Sequence, residues 1–190
     1  MPFYSLLAVE LGLVWWMSSR IDSMSSGFAT ALFILYSALN GVTLSVLFYV
    51  YTSASIASTF FITAGTFGVC SAYGYFTKKD LTSLGGFLFM ALIGLIIASV
   101  VNWFLASSAL YWIISYAGVA IFIGLTAYDT QKIKKMSLEV DADSEQGKKG
   151  AVMGALALYL DFINMLQNYN ENEFYSQQKD IMIIMIIDFF

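Results

Sequence analysis

Long stretches without any charged residue constrain this chain most, and they cover residues 28–51, 55–76, 84–106 and 109–128. Each is near or above the roughly 20 residues that a helix needs to cross a ~30 Å hydrocarbon core. Because backbone groups in lipid must pair within their own segment, such stretches form helices. Two weaker segments, 2–17 and 151–166, flank them. The sequence therefore predicts an all-α, polytopic membrane helix bundle over residues 1–166, with about six membrane segments.

The basic residues predict the orientation of this bundle. All nine Lys and Arg residues lie outside the apolar cores, in the first, third and fifth connections and in the tail. The positive-inside rule then places the odd-numbered connections in the cytoplasm. Residue 1 would start on the outer face, which predicts that an N-terminal helix is missing.

Composition and motifs argue against several function classes. Histidine is absent and cysteine occurs once, so a Ser-His-Asp triad and imidazole metal ligation are ruled out. A net charge of −4 gives no reason to expect a nucleic-acid partner. The acidic link around 136–150 lacks the central Gly and closing Glu of an EF-hand calcium loop. The sequence motifs of a two-aspartate intramembrane protease match at Tyr128-Asp129 but not around Asp161. We expect neither an enzyme nor a bound cofactor.

Asp129 and Asp161 are the strongest candidates for function. Asp161 follows four apolar or aromatic residues, and Asn164 lies at i+3 on the same helical face. Acids within membrane segments are costly and usually face the bundle interior. Two carboxylates that meet there cannot both ionise easily, so we expect the pair to share a proton and to bind a cation when ionised. Alternatively, Asp129 pairs with Lys132 or Lys134 and only marks the end of a membrane segment.

Two further charged residues are weaker candidates for a functional role. Glu10 is a third acid within a membrane segment and could line the same cavity, or it could lie near a membrane surface. Arg20 could close the cytoplasmic end by pairing with Asp129, but it is explained equally well as a topology determinant. We therefore treat Glu10, Arg20 and Asn164 as candidate pore or latch residues.

Several segments closely resemble the Bax inhibitor-1 family of membrane proteins, in particular its bacterial inner-membrane branch. The strongest matches are Thr126–Lys134 (TAYDTQKIK) and Ala155–Asn164 (ALALYLDFIN). Residues 36–45 (YSALNGVTLS), 51–60 (YTSASIASTF) and 73–81 (YGYFTKKDL) fit as well. The resemblance covers residues 2–166 and identifies residue 2 as the start of the family's second helix.

The resemblance implies seven helices, with the last surrounded by the others, in a multi-pass protein of the cell inner membrane. It also implies a pH-sensitive calcium leak in which Asp129 and Asp161 form the proton sensor and the Ca²⁺ site. In that case the chain needs the lipid bilayer and transports Ca²⁺. The alternative is a non-transporting regulator that binds a membrane protease complex or another membrane protein.

The last part of the chain departs from the family pattern. After Met165 the family continues with an apolar stretch and a basic end, whereas here a polar segment begins at Gln167. The sequence therefore predicts that the final helix is cut short and that residues 167–190 form an atypical polar and apolar tail.

Overall fold

The computed structural model describes residues 2–45 and 53–170, and this part of the chain is entirely helical apart from short connections. Its six α-helices are α1 (Pro2–Arg20), α2 (Ser26–Leu44), α3 (Ser53–Phe76), α4 (Thr82–Leu105), α5 (Ser108–Glu139) and α6 (Glu145–Asn170). Within the described residues, α2 to α6 are long and apolar enough to cross a membrane. The predicted all-α membrane bundle is confirmed, but five described helices rather than about six are long and apolar enough to cross a membrane, and α1, which contains the predicted segment 2–17, is not among them. The end of the second predicted segment, 46–51, lies outside the described residues.

The uncharged connection between α4 and α5 is a tight turn. Ala106 ends α4 in the left-handed conformation, with φ of 48°. The side-chain oxygen of Asn102 accepts a hydrogen bond from the Ser107 backbone N–H, 3.0 Å away. The Ser107 hydroxyl in turn accepts from the backbone N–H of Leu110 and caps α5. The turn thus satisfies backbone groups that a helix end would leave without partners.

Helix α5 extends well beyond the apolar segment from which it was predicted. The expected end was residue 128, but the helix continues to Glu139 and carries three lysines with it. The predicted cytoplasmic link of 136–150 is reduced to residues 140–144. The boundary prediction was wrong because hydropathy shows where a helix leaves lipid and not where it ends. Lys, Gln and Met are good helix formers in water.

Helix α6 also exceeds its prediction at both ends. It begins at Glu145 and continues to Asn170, so it is not cut short at Met165. Gln167 and Asn168, predicted as the start of the tail, are buried within the bundle. They fit because polar side chains in a membrane protein can face other helices instead of lipid. The remainder of the predicted tail, 171–190, lies outside the described residues.

Helices α5 and α6 form the centre of the bundle. Helix α5 packs against α3, α4 and α6, whereas α6 packs against α2, α3 and α5, and α1 packs against α2. A close approach at Gly74 helps to hold α3 against α5, because a Cβ at that position would overlap the backbone carbonyl of Ala127. The expectation that the last helix is surrounded by its neighbours is met on the sides of α2, α3 and α5. On the side of α4, a cavity lies between the helices.

Candidate functional site

Asp129 and Asp161 line one cavity of about 450 Å³ in the bundle. Helix α5 supplies Asp129, helix α6 supplies Asp161, and helix α4 completes the wall. The structure therefore brings together the two acids that the sequence singled out.

Asp161 is in the drier environment of the two. Only 5% of its surface is exposed, and Leu125 and Leu160 belong to the same cavity wall. Its carboxyl oxygen Oδ2 has no hydrogen-bond partner within the described part of the chain. The neighbouring Thr126 hydroxyl donates to the backbone carbonyl of Phe122, 2.7 Å away. A buried acceptor without a partner is energetically costly, which singles out Asp161 within this site.

Asp129 is half-buried and lies nearer the C-terminal end of α5. Lys132, one turn further on, lines the same cavity. Lys134 is directed elsewhere: its Nζ donates to the Tyr75 carbonyl, 2.6 Å away, and lies 4.7 Å from the centre of the Tyr75 ring. Of the two lysines considered as partners for Asp129, Lys132 thus remains the one that faces the site.

Asn164 lies one turn beyond Asp161 on α6 and lines the same cavity. Only 1% of its surface is exposed. Its side-chain N–H donates to the backbone carbonyl of Leu160, 2.9 Å away. Asn164 therefore belongs to the site, as its i+3 spacing from Asp161 predicted.

Glu10 is fully buried but does not line this cavity. Its Oε1 accepts a hydrogen bond from the Thr43 hydroxyl, 2.5 Å away. The prediction that Glu10 shares the cavity was wrong because α1 packs against α2 and presents Glu10 to that helix.

Arg20 does not reach Asp129. It is exposed at the end of α1, where it lines a small pocket with Trp16 and Phe28. The ion pair recorded for the described residues joins Lys135 to Asp80. The predicted contact between Arg20 and Asp129 is therefore absent from this structure, because the turn after α1 packs around the start of α2.

A second cavity of about 270 Å³ adjoins the first on the side of the basic residues. Tyr128 and Lys132 line both cavities, and Gln131 and Lys135 line the second. A Cβ at Gly85 would overlap the Tyr128 ring, so the start of α4 packs closely on that ring. Tyr128 and Lys132 thus lie where the two cavities adjoin.

Sequence analysis missed Tyr128 and Gln131 as parts of this region. Gln131 is buried, and its side chain bonds to the backbone of the connection between α3 and α4. One pattern could have indicated it: Gln131 lies four residues after the buried Ala127 and so continues the same face of α5. The packing of Tyr128 depends on Gly85 in another helix, so no local sequence pattern indicates it.

Comparison with known proteins gives consistent matches. The family model described as "Inhibitor of apoptosis-promoting Bax1" matches residues 1–168. The "Inner membrane protein YbhL" of Escherichia coli strain K12 is 55% identical over 161 residues, which are 84% of this chain and 69% of the relative. An uncharacterized protein of Borreliella burgdorferi is 53% identical over 87% of this chain and 71% of its own length. An uncharacterized membrane protein of Streptococcus pyogenes is 38% identical over the same shares.

Proposed function

Because the chain belongs to the Bax inhibitor-1 family of membrane proteins, we propose that it is a pH-regulated cation leak that transports Ca²⁺. Its location as a multi-pass protein of the inner membrane follows from its five apolar helices and its inner-membrane relative. The observation that carries the proposal is the presence of Asp129 and Asp161 in one cavity. Acids at such positions mark ion pathways and proton relays.

The charge of the cavity depends on a single proton. Its charged lining residues are Asp129, Lys132 and Asp161, which carry a net charge of −1 when both acids are ionised. One shared proton brings this charge to zero. The ionised cavity attracts a cation strongly because the surrounding helices have a low dielectric constant. Protonation removes that attraction and weakens cation entry.

Helix contacts at the cytoplasmic end couple this change in the charge of the cavity to the pore. Tyr128 precedes Asp129 and lines both the acid-containing cavity and the second cavity. In this proposal, a change in the charge of Asp129 moves the adjoining turn of α5 and with it the Tyr128 ring. Cation flow then responds to cytoplasmic pH. No catalytic step is involved, so we propose that the protein is not an enzyme.

Calcium flux into liposomes that contain the purified protein tests this function. Asp129→Asn and Asp161→Asn each keep the shape of the side chain but remove its charge, and we expect each to change the flux at least about tenfold. Asp143→Asn is the matched control, since Asp143 is exposed in the short link before α6. Flux that neither substitution alters would contradict the proposal.

The same experiment separates this function from the non-transporting alternative. A regulator that acts by binding a membrane protease complex would give equal flux in protein-containing and empty liposomes. Crosslinking in native membranes would then recover a protein partner.

A further inference from the structure

The amide of Asn164 is held in a fixed orientation by its own helix. Its Nδ2 donates to the backbone carbonyl of Leu160, 2.9 Å away, in an i to i−4 arrangement. Because the amide nitrogen is directed along the helix, the oxygen Oδ1 is turned away from that carbonyl. Asn164 lines the cavity that also contains Asp161.

This Oδ1 oxygen is buried and has no hydrogen-bond partner within the described part of the chain. The whole residue is 1% exposed. Buried amide oxygens in folded proteins are nearly always paired, so an open one calls for an explanation. Asp161 Oδ2, one turn earlier on α6, is open in the same way. Two oxygen acceptors without partners among the described residues, one from a carboxyl group and one from an amide, therefore belong to residues on neighbouring turns that line one cavity.

From this arrangement we infer that Asn164 Oδ1 is a third oxygen ligand, with the carboxylates of Asp161 and Asp129, for a hard divalent cation of the Ca²⁺ class. The inference rests on the proposed function and adds a ligand to its site. Carboxylate and amide oxygens are the ligands that Ca²⁺ takes in proteins. A neutral ligand holds the ion without placing another charge within the membrane.

The cavity has room for the water that such an ion needs. Ca²⁺ takes about 6–8 oxygen ligands, so three protein side chains leave positions for several waters. At about 30 Å³ per water molecule, a cavity of about 450 Å³ holds a hydrated ion. Mg²⁺ requires a stricter geometry and gives up its waters reluctantly, so the site favours Ca²⁺ over Mg²⁺.

Binding of Tb³⁺, a luminescent stand-in for Ca²⁺, tests this inference without requiring transport. The Tyr128 ring lines the cavity and can sensitise the ion. The protein is titrated with Tb³⁺ in lipid nanodiscs at about pH 8, where carboxylates are ordinarily ionised, and Ca²⁺ or Mg²⁺ is then added as a competitor. We expect Asn164→Leu to weaken Tb³⁺ binding about tenfold. Thr63→Val is the control, since Thr63 is a buried polar residue of α3 whose hydroxyl donates to the backbone carbonyl of Thr59 on the same helix, 2.8 Å away.

A second substitution covers the case in which Asn164→Leu does not fold. Asn164→Asp keeps the shape and an oxygen ligand while it adds a charge, so we expect tighter Tb³⁺ binding at the same pH. Unchanged binding in Asn164→Leu, or unchanged or weaker binding in Asn164→Asp, would overturn the inference.

The results distinguish this inference from the proposed function. If the wild-type protein binds Tb³⁺ through Asn164 but transports no Ca²⁺ in liposomes, the leak proposal fails and the cation site stands. If Ca²⁺ flux depends on both aspartates while Asn164→Leu binds Tb³⁺ normally, the leak stands and the role of Asn164 is disproved.

Discussion

The side-chain oxygen of Gln131 accepts a hydrogen bond from the backbone N–H of Leu81, 2.9 Å away. The amide nitrogen of Gln131 donates to the carbonyl of Lys79, 2.8 Å away. One buried side chain of α5 thus holds both sides of the connection between α3 and α4. This connection leads directly into the part of α4 that packs on Tyr128.

Loss of the Gln131 side chain should loosen this connection. Gln131→Leu keeps a similar volume but leaves two backbone groups without their partners, which should lower the free energy of unfolding by about 1–3 kcal/mol. Chemical unfolding of the protein in detergent measures the change. Gln146→Leu, at an exposed position of α6, is the control and should have little effect. Equal stability of the two variants would disprove the role of Gln131.

The close approach of α3 to α5 predicts a contrast between two glycines of one helix. A Cβ at Gly74 overlaps the Ala127 carbonyl, so Gly74→Ala should destabilise the protein by about 1–3 kcal/mol. Gly65 has open space around its Cα, and Gly65→Ala should be neutral or stabilise α3 by up to about 1 kcal/mol. Thermal unfolding of the two variants tests the difference. A neutral effect of Gly74→Ala would mean that the helices lie further apart.

The ion pair between Lys135 and Asp80 predicts a pH effect outside the membrane. Hydrogen bonds from Lys135 and Thr82 lower the pKa of Asp80 to about 2. Because the folded-state pKa lies below the unfolded value of about 3.9, any stability from this pair is present above that value and is lost as pH falls towards 2.

Lys135→Gln should therefore raise the pKa of Asp80 towards about 3.9. Titration of the Asp80 carboxyl carbon by NMR measures this shift directly. Lys78→Gln, which removes an exposed charge from the same connection, should leave the Asp80 pKa close to 2. An unchanged pKa in Lys135→Gln would show that the pair does not form in solution.

The position of Tyr128 between two cavities predicts a gating role. Tyr128→Ala should join the cavities and raise calcium flux at low pH, so that the pH dependence becomes shallower. Flux into liposomes over a range of pH measures this effect. Tyr116→Ala alters an exposed tyrosine of the same helix and serves as the control. A pH profile that Tyr128→Ala leaves unchanged would exclude the ring as a barrier.

The membrane bundle could be predicted from sequence because lipid imposes a simple requirement on chain segments of about 20 residues. The meeting of Asp129 and Asp161 could also be predicted, since each acid is costly near lipid and is therefore expected to face the interior of the bundle. The position of Glu10 could not, because it depends on which neighbour α1 packs against. The contacts of Gln131 and Lys135 could not be predicted either, because both residues lie in the part of α5 beyond its apolar segment. There, local sequence indicates a helix but not its partner.

The two aspartates need not act as one site merely because they share a cavity, and a double-mutant cycle on calcium flux distinguishes the possibilities. Flux is measured at a fixed pH for the wild-type protein, Asp129→Asn, Asp161→Asn and the double variant. If the acids form one proton-sharing site, the double variant should change flux little more than either single variant. If the effects of the two single variants on flux, expressed as free energies, add to within about 0.5 kcal/mol in the double variant, the two acids act independently. That result would contradict the account.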